Sequence, residues 1–407
     1  MYEFINFIFS MGKKYKVIGI MSGTSLDGLD IAYCEFVKGK NWKYNILHAE
    51  TKKYNKEWKA KLSEAFRMNK NDLKQFDKEF GKFIGSEVSN FIRRKKITVD
   101  FIASHGHTVF HQPEKKITRQ IGDGAVIAAI CKLPVVCDFR SGDVALGGQG
   151  APLVPIADKL LFPQYDFCLN LGGFANISYD EFPLSPALAS RLVGTGGGAV
   201  RYAFDICPVN IVLNELAKKF GKEFDTGGKM ASQGKIDHAL LNKLNKLPFY
   251  KMKPPKSLGR EWVEKVFLPA LNSYNASIHD KLRTVVEHIA IQISVIINES
   301  DPQGFLRKGS LTGKPSHNLS GRNRKYLITG GGSYNHCLMK RMAAHAKSKI
   351  VVTDDGTIQF KEAMAFAFLG VLRMRKEINI LKSVTGAARD SSGGKIYFPD
   401  QNVFSSL

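Results

Sequence analysis

Three glycine-centred turns, each placed after an apolar strand-like run, carry most of the chemistry available to this chain. The first is Gly23-Thr24-Ser25-Leu26-Asp27-Gly28-Leu29-Asp30, between apolar runs at 17–21 and 31–36. Glycine lets backbone approach a ligand closely, and successive N–H groups beside the Thr24 and Ser25 hydroxyls suit phosphate oxygens. Asp27 and Asp30 add carboxylates for a divalent cation or a reacting hydroxyl. An ordinary glycine-rich hairpin tip has the same composition, so this segment alone leaves both readings open. The second turn is Asn170-Leu171-Gly172-Gly173, again followed by a strand-like run. The third is Thr329-Gly330-Gly331-Gly332, followed by Asn335 and a helix-like run at 337–342. The Walker pattern and the dinucleotide fingerprint are both missing at all three places. Taken together, the turns point to ATP held between two lobes.

Two lobes are also what the intervening segments predict. Residues 12–157 read as a first lobe carrying the first phosphate hairpin. Its further elements are a third strand near 44–51 and charge-rich helices over 56–94. Leu62, Phe66, Leu73, Phe76 and Phe80 fall there at broadly helical spacing. A buried strand at 100–104 ends in His105-Gly106-His107, the carboxyl end where open α/β sheets place their loops. A short apolar helix at 125–131 and a strand at 134–137 follow. Residues 158–407 read as a second lobe with the second hairpin and an adenosine motif at 329–335, its last helix free to return to the first lobe. Within it, 209–220 predicts a helix, and 284–300 predicts a core helix in which His288 is structural. The glycine-rich stretches 191–198 and 301–323 are expected as a hairpin tip and an exposed insertion. The fold class is α/β.

Composition narrows the partners. The 407 residues are 44% hydrophobic, enough for a sizeable core, with a formal net charge of +22. The positive charge concentrates over 38–99 but lacks aromatic interleaving, so it reads as a solvated face that attracts anions, with no nucleic acid as partner. Six cysteines without a C-x-x-C pair read as reduced thiols. No apolar run approaches the ~20 residues that span a bilayer. The apolar residues 1–10 carry no basic n-region or cleavage site, and Met11 is an equally good start. A cytoplasmic protein is expected, with no membrane contact.

The chain resembles the anhydro-N-acetylmuramic acid kinases, members of the actin/hexokinase-like ATPase superfamily with a ribonuclease H-like fold. The resemblance rests on segments in order along nearly the whole chain. These are Gly19–Gly28, Ser104–Pro113, Gln120–Gly124, Pro134–Arg140, Gly147–Pro155, Asn170–Ser178, Lys256–Glu261, Thr329–Gly332, Lys361–Ala367 and Ser383–Ala387. It implies a two-lobed actin-like ATPase with its active site in the interlobe cleft. It also implies ATP, Mg²⁺ and 1,6-anhydro-N-acetylmuramic acid as ligands, and a homodimer.

Opening the 1,6-anhydro bridge requires water to add at the anomeric carbon while a carboxylate takes its proton. By the resemblance that base is Asp205, in Ala203-Phe-Asp-Ile-Cys-Pro-Val-Asn210. The family commonly continues from this aspartate with Thr-Gly-Pro-Gly-Asn, whereas here both glycines are replaced, by Cys207 and Val209. A glutamine common in the family is His107 here. Glu362 matches a glutamate that contacts the sugar. Arg140 and His105 are the further sugar or phosphate contacts, against a structural salt bridge and a satisfied buried histidine. Asp27 is the candidate for holding Mg²⁺ through water, or else caps its turn. A kinase of another anhydro sugar such as levoglucosan, and a nucleotide-binding module without catalysis, remain open alternatives.

Overall fold

The computed structural model describes residues 14–23, 26–181, 199–254, 256–298, 324–346 and 349–399. Thr24, Ser25, the N-terminal residues 1–13 and the two glycine-rich stretches at 191–198 and 301–323 lie outside them. The strands are β1 (Lys14–Ser22), β2 (Gly28–Lys38), β3 (Trp42–Lys53), β4 (Phe101–Gln112), β5 (Ile117–Ile121), β6 (Val135–Cys137), β7 (Phe167–Leu171), β8 (Phe174–Glu181), β9 (Val200–Pro208), β10 (Lys325–Thr329), β11 (Lys349–Val352) and β12 (Lys395–Tyr397). The helices used below are α1 (Lys70–Lys95), α2 (Gly124–Cys131), α3 (Asn210–Lys218), α4 (Ile278–Asn298), α5 (His336–His345) and α6 (Asp355–Met374). The chain divides into two compact units, Met1–Leu161 with Phe360–Leu407, and Phe162–Gln359.

The sheet of the first unit runs β12-β6-β4-β1-β2-β3, with β5 paired to β4. β1, β2 and β3 are consecutive antiparallel neighbours, and β4 and then β6 add in parallel to β1. Both faces of the central strands are covered, so they read as nearly continuous apolar runs. One face receives α1, whose N-cap Asn69 accepts the amides of Asn71 and Asp72. Phe76, Phe80, Ile84, Val88 and Phe91 lie on its buried stripe. The other face receives the second half of α6, and glycine sets that approach. A Cβ at Gly19 would stand 1.9 Å from the Ala363 carbonyl oxygen, and one at Gly370 2.6 Å from Ala103 Cβ. Helix backbone therefore rests directly on β1 and β4.

The second sheet runs β11-β10-β7-β8-β9. β7, β8 and β9 are consecutive antiparallel neighbours, with β10 and then β11 parallel to β7. With the β5 hairpin extension and the edge strand β12 set aside, the first sheet runs β3-β2-β1-β4-β6 and the second β9-β8-β7-β10-β11, the same order in both. That is the ribonuclease H-like arrangement, present twice as in actin-like ATPases. α4 is the core helix of this unit, burying Leu282, Val285, Val286, Ile289, Ile293 and Ile297. Its His288 bonds Asn245 through Nδ1 and Tyr250 through Nε2, so both ring nitrogens are used structurally.

Local readings shift at two places. Phe66 is 52% exposed, because a single 3₁₀ turn at Ala65–Arg67 separates two helices where the spacing suggests one continuing stripe. Arg67 covers its ring at 5.2 Å. Val209 stands outside its helix as N-cap with φ −125° and ψ −98°, held by the turn it contacts.

Candidate active site

In the first unit the β1–β2 hairpin brings Gly23, Leu26, Asp27, Gly28, Leu29 and Asp30 to the carboxyl end of β1. Leu26 takes φ 59° and Asp27 is exposed, while Leu29 is a core side chain that can offer a ligand only its backbone. Asp30 faces across β2 to β3, where Thr51 Oγ1 donates to its Oδ1 at 2.6 Å. Burial pushes its carboxyl up to about 6, and the nearby Glu362 and Asp27 charges add to this against the Thr51 bond. Among the described residues no group of three or more His, Cys, Asp or Glu is placed to hold a metal ion.

Glu362 is carried beside this hairpin by the α6 turn that Gly19 admits. Its side chain is exposed, yet the dense protein around it pushes its carboxyl above the usual glutamate range. Arg140 and Lys361 oppose that shift. Lys361 itself is buried in an ion pair of 2.7 Å with Asp158. Arg140 donates through Nε to His105 Nε2 at 2.9 Å and through Nη1 to the Gly150 carbonyl at 2.6 Å. His105 Nδ1 lies 3.0 Å from the Gly106 carbonyl, which can only accept, so the proton sits on Nδ1 and Nε2 is left to accept from Arg140. Burial and the Arg140 charge hold this imidazole neutral, well below its usual range. Gly150 is itself fixed by the buried Asp143 carboxylate. Oδ2 of Asp143 takes the Gly150 amide at 2.7 Å, and its Oδ1 takes the Thr385 hydroxyl at 2.8 Å.

His105 and His107 are two residues apart yet face opposite sides of β4, because Gly106 takes φ +73° between them. His107 Nδ1 lies 3.0 Å from Ser22 Oγ, and Tyr54 donates to the same hydroxyl at 2.8 Å. This buried trio underpins the end of β1, and no spacing in the sequence announces it. Neither Thr51 nor the Gly150 carbonyl is signalled locally.

In the second unit the site is built from backbone. The β7–β8 tip is closed on α3: Val209, Asn210 and Ile211 amides donate to the carbonyls of Gly173, Gly172 and Gly173 at 2.8, 3.2 and 3.2 Å. The third glycine turn packs on the same tip. Gly330 takes φ +84°, and a Cβ there would stand 2.5 Å from Asn170 Oδ1. A Cβ at Gly332 would meet Leu171 Cβ at 2.8 Å. Gly173 and Gly331 differ, with no atom nearer than 4.0 and 3.7 Å, so their Cα faces are open to a ligand. Asn335 caps α5, its side-chain oxygen accepting the Leu338 amide. Cys207 and Val209, which replace the glycines of the related motif, are fully buried in the core, so their bulk turns inward.

Asp205 lies near the end of β9. Its amide donates to the Lys256 carbonyl at 3.1 Å, and the Leu258 amide donates to its Oδ2 at 2.8 Å. Burial pushes the carboxyl up to about 6, with the Leu258 bond opposing. One oxygen of the carboxylate is thus anchored by the Leu258 amide.

The chain is similar in sequence to known proteins over nearly its whole length. A family model for anhydro-N-acetylmuramic acid kinase matches residues 15–399. The enzyme of that name from Vibrio parahaemolyticus is 32% identical over 395 residues, covering 93% of this chain and 97% of the relative. Its counterpart in Caldanaerobacter subterraneus subsp. tengcongensis is 32% identical over 408 residues, 93% and 96% of the two chains. That in Francisella tularensis subsp. novicida is 30% identical over 405 residues, 95% and 99%. With a match of this extent, and with paired hairpins and a one-sided aspartate in place, the chain belongs to the anhydro-N-acetylmuramic acid kinase family.

Proposed function

We propose that the protein is an ATP-dependent kinase that opens the anhydro bridge of 1,6-anhydro-N-acetylmuramic acid and phosphorylates the freed oxygen. Water adds to the anomeric carbon, its proton passes to Asp205, and the bond from that carbon to the bridging oxygen breaks. The released 6-oxygen attacks the terminal phosphorus of ATP, with ADP leaving. The products are N-acetylmuramic acid 6-phosphate and ADP, in recycling of cell-wall sugar. The observation that carries this reading is Asp205, anchored through Oδ2 by Leu258 and pushed up to about 6.

The other residues bind and orient. Glu362 and Arg140 contact the sugar, with Arg140 held by His105 and Gly150 so that its remaining edge is preset. The glycine turns at 172–173 and 330–332 receive the nucleotide, and the 23–30 hairpin receives its phosphates. Asp27 and Asp30 hold Mg²⁺, which neutralises phosphate charge when bound. A homodimer in the cytoplasm completes the proposal. No helix among the described residues is long and apolar enough to cross a membrane.

A coupled ADP-release assay with ATP, Mg²⁺ and the anhydro sugar tests it, run beside levoglucosan. Sugar-dependent turnover is expected, with an acid limb in kcat near the Asp205 ionisation. ADP release that ignores the sugar would overturn the reading. A clear preference for levoglucosan would reassign the substrate.

A further inference from the structure

We propose that Lys256 is a positioning residue for Asp205: its ammonium, seated against Phe249 and Phe204, fixes the 256–258 loop whose backbone brackets the carboxylate. The inference rests on reading Asp205 as the base. Lys256 is only 9% exposed. Its Nζ lies 4.7 Å from the centroid of Phe249 and 6.0 Å from that of Phe204, and donates to the Phe249 carbonyl at 3.4 Å. Phe204 immediately precedes Asp205 on β9. Phe249 is itself buried and packs against Trp262 with ring centroids 5.4 Å apart.

The same residue is tied to the base through its backbone. The Lys256 carbonyl takes the Asp205 amide, and two residues later Leu258 delivers its amide to Oδ2. Seating the side chain against the rings restrains the backbone that makes both contacts. Burying an ammonium is unfavourable, and an apolar side chain would fill the space at smaller penalty. A cation facing aromatic rings recovers part of that energy and selects one loop position. Among the described residues, four groups stand beside Asp205. They are Lys256 and Leu258 from the loop, Cys207 on its own strand and Asn176 opposite on β8.

The sign of the effect follows from the Leu258 bond, which favours the ionised carboxylate. If the loop drifts, that bond is lost and the Asp205 ionisation moves upward. Full-length Lys256→Met and Lys256→Arg are compared with the parent, and Phe249→Leu loosens the same seat from the other side. Isotope-edited infrared titration of ¹³C-labelled aspartate reads the carboxyl directly, with Asp205→Asn assigning the band. Lys256→Met and Phe249→Leu are expected to raise the midpoint by about half a pH unit or more. They should also lower kcat about tenfold or more with little change in KM for the sugar. Lys256→Arg should restore most of both. An unmoved midpoint in folded Lys256→Met and Phe249→Leu would overturn the proposal. Absence of sugar-dependent turnover in the parent would instead count against the kinase reading, and the infrared midpoint would still decide the positioning role.

Discussion

At the tip of β1–β2 the chain presents Asp27 and Asp30, while at the equivalent tip of β7–β8 it presents Gly172 and Gly173. The strand order around the two tips is the same, so the backbone scaffold does not explain the contrast. In the first unit the proposed site is made of side chains: carboxylates, a guanidinium pinned by His105 and Gly150, and a hydroxyl donated by Thr51. In the second unit, Asp205 apart, it resides in backbone that only glycine permits, with Gly330 against Asn170 and Gly332 against Leu171. The lesson is that one fold can carry its chemistry in two ways, and each fails to a different kind of substitution.

The largest effect is expected at Asp205, the one acid of the backbone-built unit assigned to proton transfer. Asp205→Asn should lower sugar-dependent kcat by about 10²–10⁴-fold while ATP still binds, measured by ADP release and by nucleotide titration. The same variant should be more stable than the parent at pH 8. The folded-state carboxyl sits at about 6 against an ordinary 3.8, so the folded protein holds its proton more tightly than the unfolded chain. Parent stability therefore falls as pH rises from about 4 through 6, and asparagine removes that loss. The gain at pH 8 should be about 1–3 kcal/mol, read by denaturant unfolding at several pH values, and should vanish toward pH 4.

Next comes the side-chain-built unit. Arg140→Lys keeps the charge but cannot reproduce the two-armed donation to His105 and Gly150. It leaves His105 Nε2 buried without its donor, and kcat/KM for the sugar should fall about 10–100-fold with ATP affinity little changed. Equal loss for both substrates would mean that Arg140 does not act on the sugar in particular.

Gly330→Ala makes the reverse test. It places a Cβ at φ +84° and 2.5 Å from Asn170 Oδ1, so the turn must shift. Nucleotide affinity should weaken about tenfold, with sugar KM nearly unchanged in steady-state kinetics at saturating ATP.

The smallest effect belongs to Thr51→Val. Removing the hydroxyl leaves Asp30 without its donor and moves that carboxyl further upward, so at pH 6.5 the Mg²⁺ requirement should rise about two- to fivefold. At pH 8, where the carboxyl ionises anyway, the difference should close. A pH-independent change would place Asp30 outside cation binding.

Several of these features were legible before any fold was drawn. The hairpins at 17–36 and 167–179 follow from apolar runs split by glycine, both local signals. The core helix around His288 follows from its unbroken apolar character, although its start at Ile278 lies beyond what that run shows. Asp205 is proposed through resemblance alone, since an aspartate after a strand is a common helix cap. The contacts that tune these groups were not legible. His105 meets Arg140 across 35 residues and Ser22 meets His107 across 85, and periodicity carries no information over such separations. The opposite facing of His105 and His107 also reverses the two-residue rule for strands, through one backbone angle at Gly106.

By itself the sequence determined which residue types stand at each turn, the apolar stripes that commit α1 and α4 to cores, and the family to which the chain belongs. Those properties depend on near neighbours and on the order of motifs. Only the tertiary structure decided that Gly19 lets α6 rest on β1, that Arg140 is preset by a neutral His105, and that the bulk of Cys207 and Val209 turns inward. It also decided which oxygen of Asp205 is anchored. Each depends on ångström-scale approach between segments far apart in the chain, and close packing sets such distances only once the whole core has formed.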